Sequence, residues 1–368
     1  MRGEAADPSV QVLLDEAYQL PECTARNTLF ERAAVLAETL GDLDIAWEAR
    51  CSILQASETY HDMRFENLFL SVAWCLALSD RDPERFPASR VLWQYKWVAT
   101  TAAEYASISA DVLRRIVDDM NTRFLGAGWG PRAGLHKKLQ ILKTLNRHDE
   151  AAEGLEQWRT TGRDRGADCN ACECAFEVEL LLALGRDEEA VKRAAPLIRG
   201  RLSCSTVPQS IFDEIAFAQA RLGKLDKARE LFDRGRRLIA GMDLPDSDLI
   251  DGYLLFAASD GQGDLAESLL RIHLPRVGKI YSDEKRCAWF ANVALAAARL
   301  DEAGHGSIET RPAPGVSDGG VISTRQLTER CQRIADQHAE ALDLRNGNDG
   351  NARWIRELPE KTRLPAPA

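Results

Sequence analysis

The chain has 368 residues, 45% of them hydrophobic and 28% charged, and its 57 acidic against 47 basic side chains leave a formal net charge of -10. That is more chain than one compact core usually absorbs, so an elongated or two-domain body is expected. The acidic balance argues against nucleic acid or an anionic membrane as the main partner and leaves an enzyme or a protein-binding scaffold in play.

The stretch from Met1 to Val10 shows no basic region followed by an apolar run, so no secretory signal is expected and the expected address is the cytoplasm. No run of about 18 apolar residues occurs, the length a bilayer crossing requires. Residues 1–26 read as an amino-terminal cap segment, and 27–300 as a body of repeated helix pairs. The first pair is signalled by Leu40-Gly41-Asp42-Leu43-Asp44-Ile45-Ala46: a helix ends on Leu, Gly closes it with positive φ, and Ala opens the packing face of a second helix.

Over 80–134 the repeat is degenerate. Ser79 stands where a turn is due, and Pro83 could open another helix. Trp93, Tyr95, Trp97 and Tyr105 follow. Leu113, Ile116, Val117, Met120 and Phe124 then lie at helical spacing. Gly126-Ala127-Gly128-Trp129-Gly130-Pro131 breaks that helix and reads as a turn rather than a phosphate loop, because no strand precedes it and no Gly-Lys-Ser/Thr follows.

The repeat resumes at Leu145-Asn146, Leu184-Gly185 and Leu222-Gly223, each followed by Ala at 151, 190 and 228, and then at Gly261 with Ala266. Asn146 to Gly185 is 39 residues, and the next two intervals are 38 each. Residues 301–322, rich in Gly, Ser and Pro, read as a flexible linker. Ser323-Thr324-Arg325-Gln326 has capping-box spacing and opens a helix over 323–344, with Leu327, Cys331, Ile334, His338 and Leu342 near one face. The tail 345–368 reads as disordered apart from a short turn at Trp354.

The Gly-x-x-x-x-Ala turn between paired helices resembles the tetratricopeptide repeat, at a period longer than the usual ~34 residues. Gly223, Leu225, Ala228 and Phe232 carry the resemblance best, with Gly185, Ala190, Gly41, Leu43 and Ala46 beside them. It implies an all-α fold, a right-handed α-solenoid of stacked helix pairs closed by a C-terminal helix.

Asp168-Cys169-Asn170-Ala171-Cys172-Glu173-Cys174 supplies a Cys-x-x-Cys with a further Cys, and Cys204 follows one repeat later. Cys169 lies 16 residues before Gly185 and Cys204 lies 19 before Gly223, so both occupy the turn between one pair and the next, on one edge of the stack. Thiolates so placed can hold corners of a tetrahedral Zn site, with Cys174, Asp168 or His136 as the fourth ligand. Idle buried thiols and a redox pair remain alternatives. Asp168, Cys169, Cys172, Cys204 and Pro208 also resemble a pattern in bacterial tetratricopeptide-like proteins of undefined role. Cys23, Cys51, Cys75, Cys287 and Cys331 stand singly in helix-like stretches and read as small core residues.

No His-Glu-x-x-His, Gly-x-Ser-x-Gly or Walker motif occurs, so no enzyme class is indicated. The resemblance implies a scaffold that takes a protein or peptide in a concave groove lined by the first helix of each pair, and homo-oligomerisation stays open. In that register His136, Gln140 and Lys143 face the groove from one repeat, and Glu179, Asp213, Phe217, Arg221 and Asp251 from the next three. A regulator whose partner binding is linked to the metal or thiol state of the cysteine cluster is the alternative.

Overall fold

A computed structural model describes residues 7–21, 23–56, 65–240 and 249–364. Residues 1–6 of the expected cap segment and the Pro-Ala-Pro-Ala ending fall outside these ranges. The described chain is overwhelmingly helical, consistent with the expected all-α class. No described helix is long and apolar enough to cross a membrane. The chain divides into two compact units, residues 1–102, 113–137 and 162–166 in the first, and 103–112, 138–161 and 167–368 in the second.

The first unit is built on α1 (Pro8–Gln19), α2 (Thr24–Leu40), α3 (Leu43–Ala56), α4 (Phe65–Arg81), α5 (Leu92–Ala102), most of α6 (Ala110–Gly126) and the start of α7 (Arg132–Thr144). Helices α1 to α5 pack consecutively. Ala33, Ala34 and Ala37 of α2 and Ala46 and Ala49 of α3 are buried, and small residues on facing ridges let helix axes approach closely. Helix α4 continues through Ser79, and the chain after Pro83 passes through a short 3-10 turn (Ala88–Arg90) before α5. The helix expected to open at Pro83 therefore starts nine residues later, at Leu92. The aromatic stretch encloses a cation: Lys96 is fully buried, donates to the Gly166 carbonyl at 2.9 Å, and sits 3.2 Å from the Trp93 ring centroid.

The second unit contains α8 (His148–Thr160), α9 (Asn170–Ala183), α10 (Asp187–Arg193), α11 (Ala195–Ile198), α12 (Phe212–Arg221), α13 (Leu225–Ala240), α14 (Asp251–Ser259), α15 (Gly263–His273) and α16 (Asp283–Glu302). After them come an antiparallel hairpin, β1 (Ser307–Thr310) with β2 (Gly320–Ser323), then α17 (Thr324–Asn346) and α18 (Gly350–Lys361). Pairs α9/α10, α12/α13 and α14/α15 are helical hairpins, and the first helices stack in the order α9, α12, α14, α16.

The turns that signalled the repeat close these pairs. Gly41, Asn146, Gly185, Gly223 and Gly261 all have positive φ, and Asn146 is the one non-glycine to do so among the described residues. At each, the following amide donates to a carbonyl five residues back, as in Arg186 to Leu181 and Lys224 to Gln219, both 2.9 Å. The alanines at 46, 151, 190, 228 and 266 are fully buried, as a contact between closely crossing helices requires. Gly128, Gly200, Gly304 and Gly347 make further closures of the same kind, with Trp129 donating to Phe124, Arg201 to Pro196, His305 to Leu300 and Asn348 to Asp343.

Two carboxyl-terminal expectations are corrected. The supposed linker 301–322 holds the end of α16 and the hairpin, whose Ile308, Ala313, Val316 and Ile322 are buried in the main core. Four well-separated apolar residues are too few to register as a hydrophobic pattern, yet the β ladder aims them inward. The tail read as disordered from 345 onward instead completes α17 and forms α18. The capping box at the start of α17 is present, with the Gln326 amide donating to Ser323 Oγ at 3.1 Å.

Candidate functional sites: a thiol triad and a roofed concave cavity

Cys169 is the N-cap of α9, and its Sγ accepts from the Cys172 amide at 3.4 Å. Cys172 lies one turn into that helix, so the Cys-x-x-Cys spacing sets both thiols at the helix start. Cys204 arrives from the turn before α12, where its own amide donates to the Val207 carbonyl at 2.8 Å. The three sulfurs lie within 4.8 Å of one another. A tetrahedral ion with Zn–S bonds of about 2.3 Å needs sulfurs about 3.8 Å apart, so small rotations of exposed thiols close the set. The group could therefore hold a metal ion.

Electrostatics within the triad are uneven. Burial pushes the Cys172 thiol up, and its neighbours Cys169 and Cys204 add to the rise. For Cys204 burial also acts upward, but hydrogen bonds from Cys169, the Ser205 amide and Cys172 outweigh it and lower the thiol. One thiol is thus prepared to ionise first, beside a helix N-terminus that favours negative charge. The residues considered as fourth ligand do not join the group. Cys174 is buried with its sulfur 3.4 Å from the Arg193 carbonyl, and neither Asp168 nor His136, both buried, belongs to the set of converging ligand atoms. Of the other cysteines, Cys51, Cys75, Cys287 and Cys331 are buried, while Cys23 is half-buried at the N-cap of α2.

The stacked first helices of the second unit wall a cavity of about 530 Å³. Lys143, Glu179, Asp213, Phe217, Arg221 and Asp251 line it. Gln140 and His136 do not; Gln140 is half-buried and His136 is only 1% exposed, inside the first unit. On α7 Gln140 lies one turn and His136 two turns before Lys143 on the same helix face, and of the three only Lys143 lines the cavity. The wall also includes Glu214 and Glu284, which the groove register did not single out. Glu214 adjoins Asp213 on α12, and Glu284 comes from α16, where no repeat turn had been recognised at Gly304.

The charges here are dominated by carboxylates gathered round one amine. Lys143 Nζ pairs with Glu179 at 2.7 Å. Burial works against the ammonium, but Glu179, Glu284 and Glu214 outweigh it and hold the lysine above its ordinary range. Enclosure by protein, with the Glu179 charge, raises Glu214 to about 7 although that side chain keeps solvent contact. Burial and the Glu104 charge raise Glu284 to about 7, and Asp213 rises through burial and its neighbours Glu214 and Asp251. The Asp251 carboxylate accepts from Asn292 at 2.7 Å.

The roof of the cavity is α18, whose Asn351, Trp354 and Leu358 line it from the opposite side. No family model matches this chain, and no curated protein matches it.

Proposed function

We propose that the protein is a tetratricopeptide-like scaffold whose concave face, formed by α9, α12, α14 and α16, receives a helical or extended segment of a partner protein. The observation that carries the reading is a cavity of about 530 Å³ whose wall takes three or four residues from each successive first helix. Such a wall reads a ligand along its length, and the scatter of acidic groups over several helices suits recognition better than bond chemistry, which needs a nucleophile and base held together. A right-handed superhelix and a cytoplasmic address belong to the same proposal. A photo-crosslinking side chain placed at Glu214, inside the cavity, is expected to capture a partner in cells; the same group at Glu188, exposed on α10, is expected not to. Equal capture at both positions rejects the groove.

A second reading is favoured by the convergence of Cys169, Cys172 and Cys204. We propose that they bind one Zn ion that ties the turn before α9 to the turn before α12, so that metal occupancy sets the angle between neighbouring helix pairs and hence the groove. Elemental analysis of protein purified under reducing conditions is expected to find about one Zn per chain. Reversible oxidation without metal would replace the structural ion with a redox pair.

A further inference from the structure

The groove reading leaves one feature unexplained: the concave face is already covered by part of the same chain. Helix α17 ends at Gly347 with positive φ, the chain reverses through Asn348 and Asp349, and α18 runs across the cavity. Both ends of α18 are held by groove-side or hinge groups. Asp343 accepts from the Asn351 and Ala352 amides at 2.8 and 2.9 Å, satisfying the helix start. At the far end Arg221 donates to the Lys361 carbonyl at 2.8 Å, and Arg299 donates to Thr362 Oγ1 at 2.9 Å. The groove residue Arg221 is thus engaged by the chain's own helix, as a bound peptide would engage it.

The fit is incomplete in two respects. First, α18 does not fill the space it covers: a cavity of about 530 Å³, open in part to solvent, remains beneath it, with Leu358 buried and Trp354 only half-buried at its edge. Second, α18 answers the charge of the wall poorly. Of its lining residues Asn351, Trp354 and Leu358 are neutral, and the two cations that also line the cavity are paired with acids of the same segment, Arg353 with Asp349 at 3.7 Å and Lys361 with Glu357 at 2.8 Å. Opposite lie Glu179, Asp213, Glu214, Asp251 and Glu284, with two cations among them, Lys143 and the Arg221 already paired with Asp187. The helix is also a poor one by itself: twelve residues beginning with Gly350 and carrying Pro359 inside have little intrinsic helicity in water, so its order depends on the groove.

From these observations we infer that α18 is a resident, displaceable occupant of the concave face, and that the partner it holds off is a basic amphipathic helix. That helix would present an aromatic and an aliphatic anchor four residues apart, as Trp354 and Leu358 do, with Lys or Arg one turn earlier where α18 has Asn351. A cation there meets the carboxylate wall, and the partner wins by charge what α18 holds by tethering, since a three-residue link keeps α18 at high effective concentration. The inference rests on the groove reading and adds the identity of its occupants.

The test uses the full chain and synthetic peptides of residues 348–364 carrying Asn351→Lys or Asn351→Glu. Two release variants act at different places: Trp354→Ala with Leu358→Ala removes the anchors, and Asp343→Asn weakens the acceptor at the α18 start without touching the cavity. In both, amides of 350–361 are expected to exchange at least ten-fold faster while α9 to α16 stay protected. The lysine peptide is expected to bind the release variants at least ten-fold more tightly than the unaltered chain, and at least ten-fold more tightly than the glutamate peptide at low salt. Equal binding of the two peptides overturns the basic helix as partner while the groove stands. Binding that is the same with and without release overturns displacement by α18. Faster exchange with no peptide bound by any form overturns the groove reading as well.

Discussion

Cys169 and Cys172 could be paired from their spacing on one helix start, whereas Cys204, from a turn 32 residues further on, meets them only because consecutive helix pairs stack in register. Cys174, two residues from Cys172, points the other way: a step of two on a helix rotates a side chain by about 200°, into the core and onto the Arg193 carbonyl. The two cysteines therefore separate by substitution. Cys204→Ala is expected to abolish stoichiometric Zn, while Cys174→Ala keeps the metal and costs about 1 kcal/mol through lost packing, measured by elemental analysis and urea unfolding. Glu284 provides a test of the carboxylate wall. Burial, first, and the Glu104 charge lift it from an ordinary 4.5 to about 7, so the folded state holds this proton more tightly than the unfolded one. Its contribution is fully present below about pH 4.5 and is lost as pH rises through about 7. Glu284→Gln is then expected to be more stable than the unaltered chain at pH 8 by about 1 kcal/mol, less than the full shift because the side chain keeps some solvent contact, with the gap closing toward pH 5. A gap independent of pH would show that Glu284 is not under this strain.

At the scale of elements, the turns were the most legible part of the chain. Positive φ with a following amide reaching five residues back is a local requirement, and Gly or Asn after Leu announces it in sequence. At Gly223 an added Cβ meets nothing within 4 Å, so Gly223→Ala tests backbone strain alone and is expected to cost about 1 kcal/mol, read from the denaturation midpoint. Asn146→Gly, at the one non-glycine turn with positive φ among the described residues, relieves that strain, but the α18 start lies close by and the Asn146 side chain is what a Cβ at Gly350 would strike. The hairpin and α18 were not legible, because neither carries a hydrophobic period of its own. Ile308 and Ile322 are inward only because β1 and β2 pair against α15 and α17. Ser323→Ala, which removes the side-chain acceptor of a capping box that was legible, is expected to cost about 1 kcal/mol by the same measurement.

For the molecule as a whole, the thiol triad predicts where stability is stored. If Zn joins the turn before α9 to the turn before α12, chelation is expected to speed amide exchange through 167–208 more than in α1 to α3, which have no ligand in the triad. Uniform acceleration, or none, would remove the ion from the stability of the second unit. The sequence by itself determined the helical class, the positions of the repeat turns, the buried alanines that follow them and the membership of the thiol triad. Each depends on residues a few positions apart, or on a repeat register that adds up along the chain. Only the tertiary structure decided that His136 and Gln140 lie off the cavity, that Glu214 and Glu284 belong to it, and that α18 covers it. Those outcomes depend on which faces meet across many tens of residues, where packing and enclosed charge, rather than local propensity, select the arrangement.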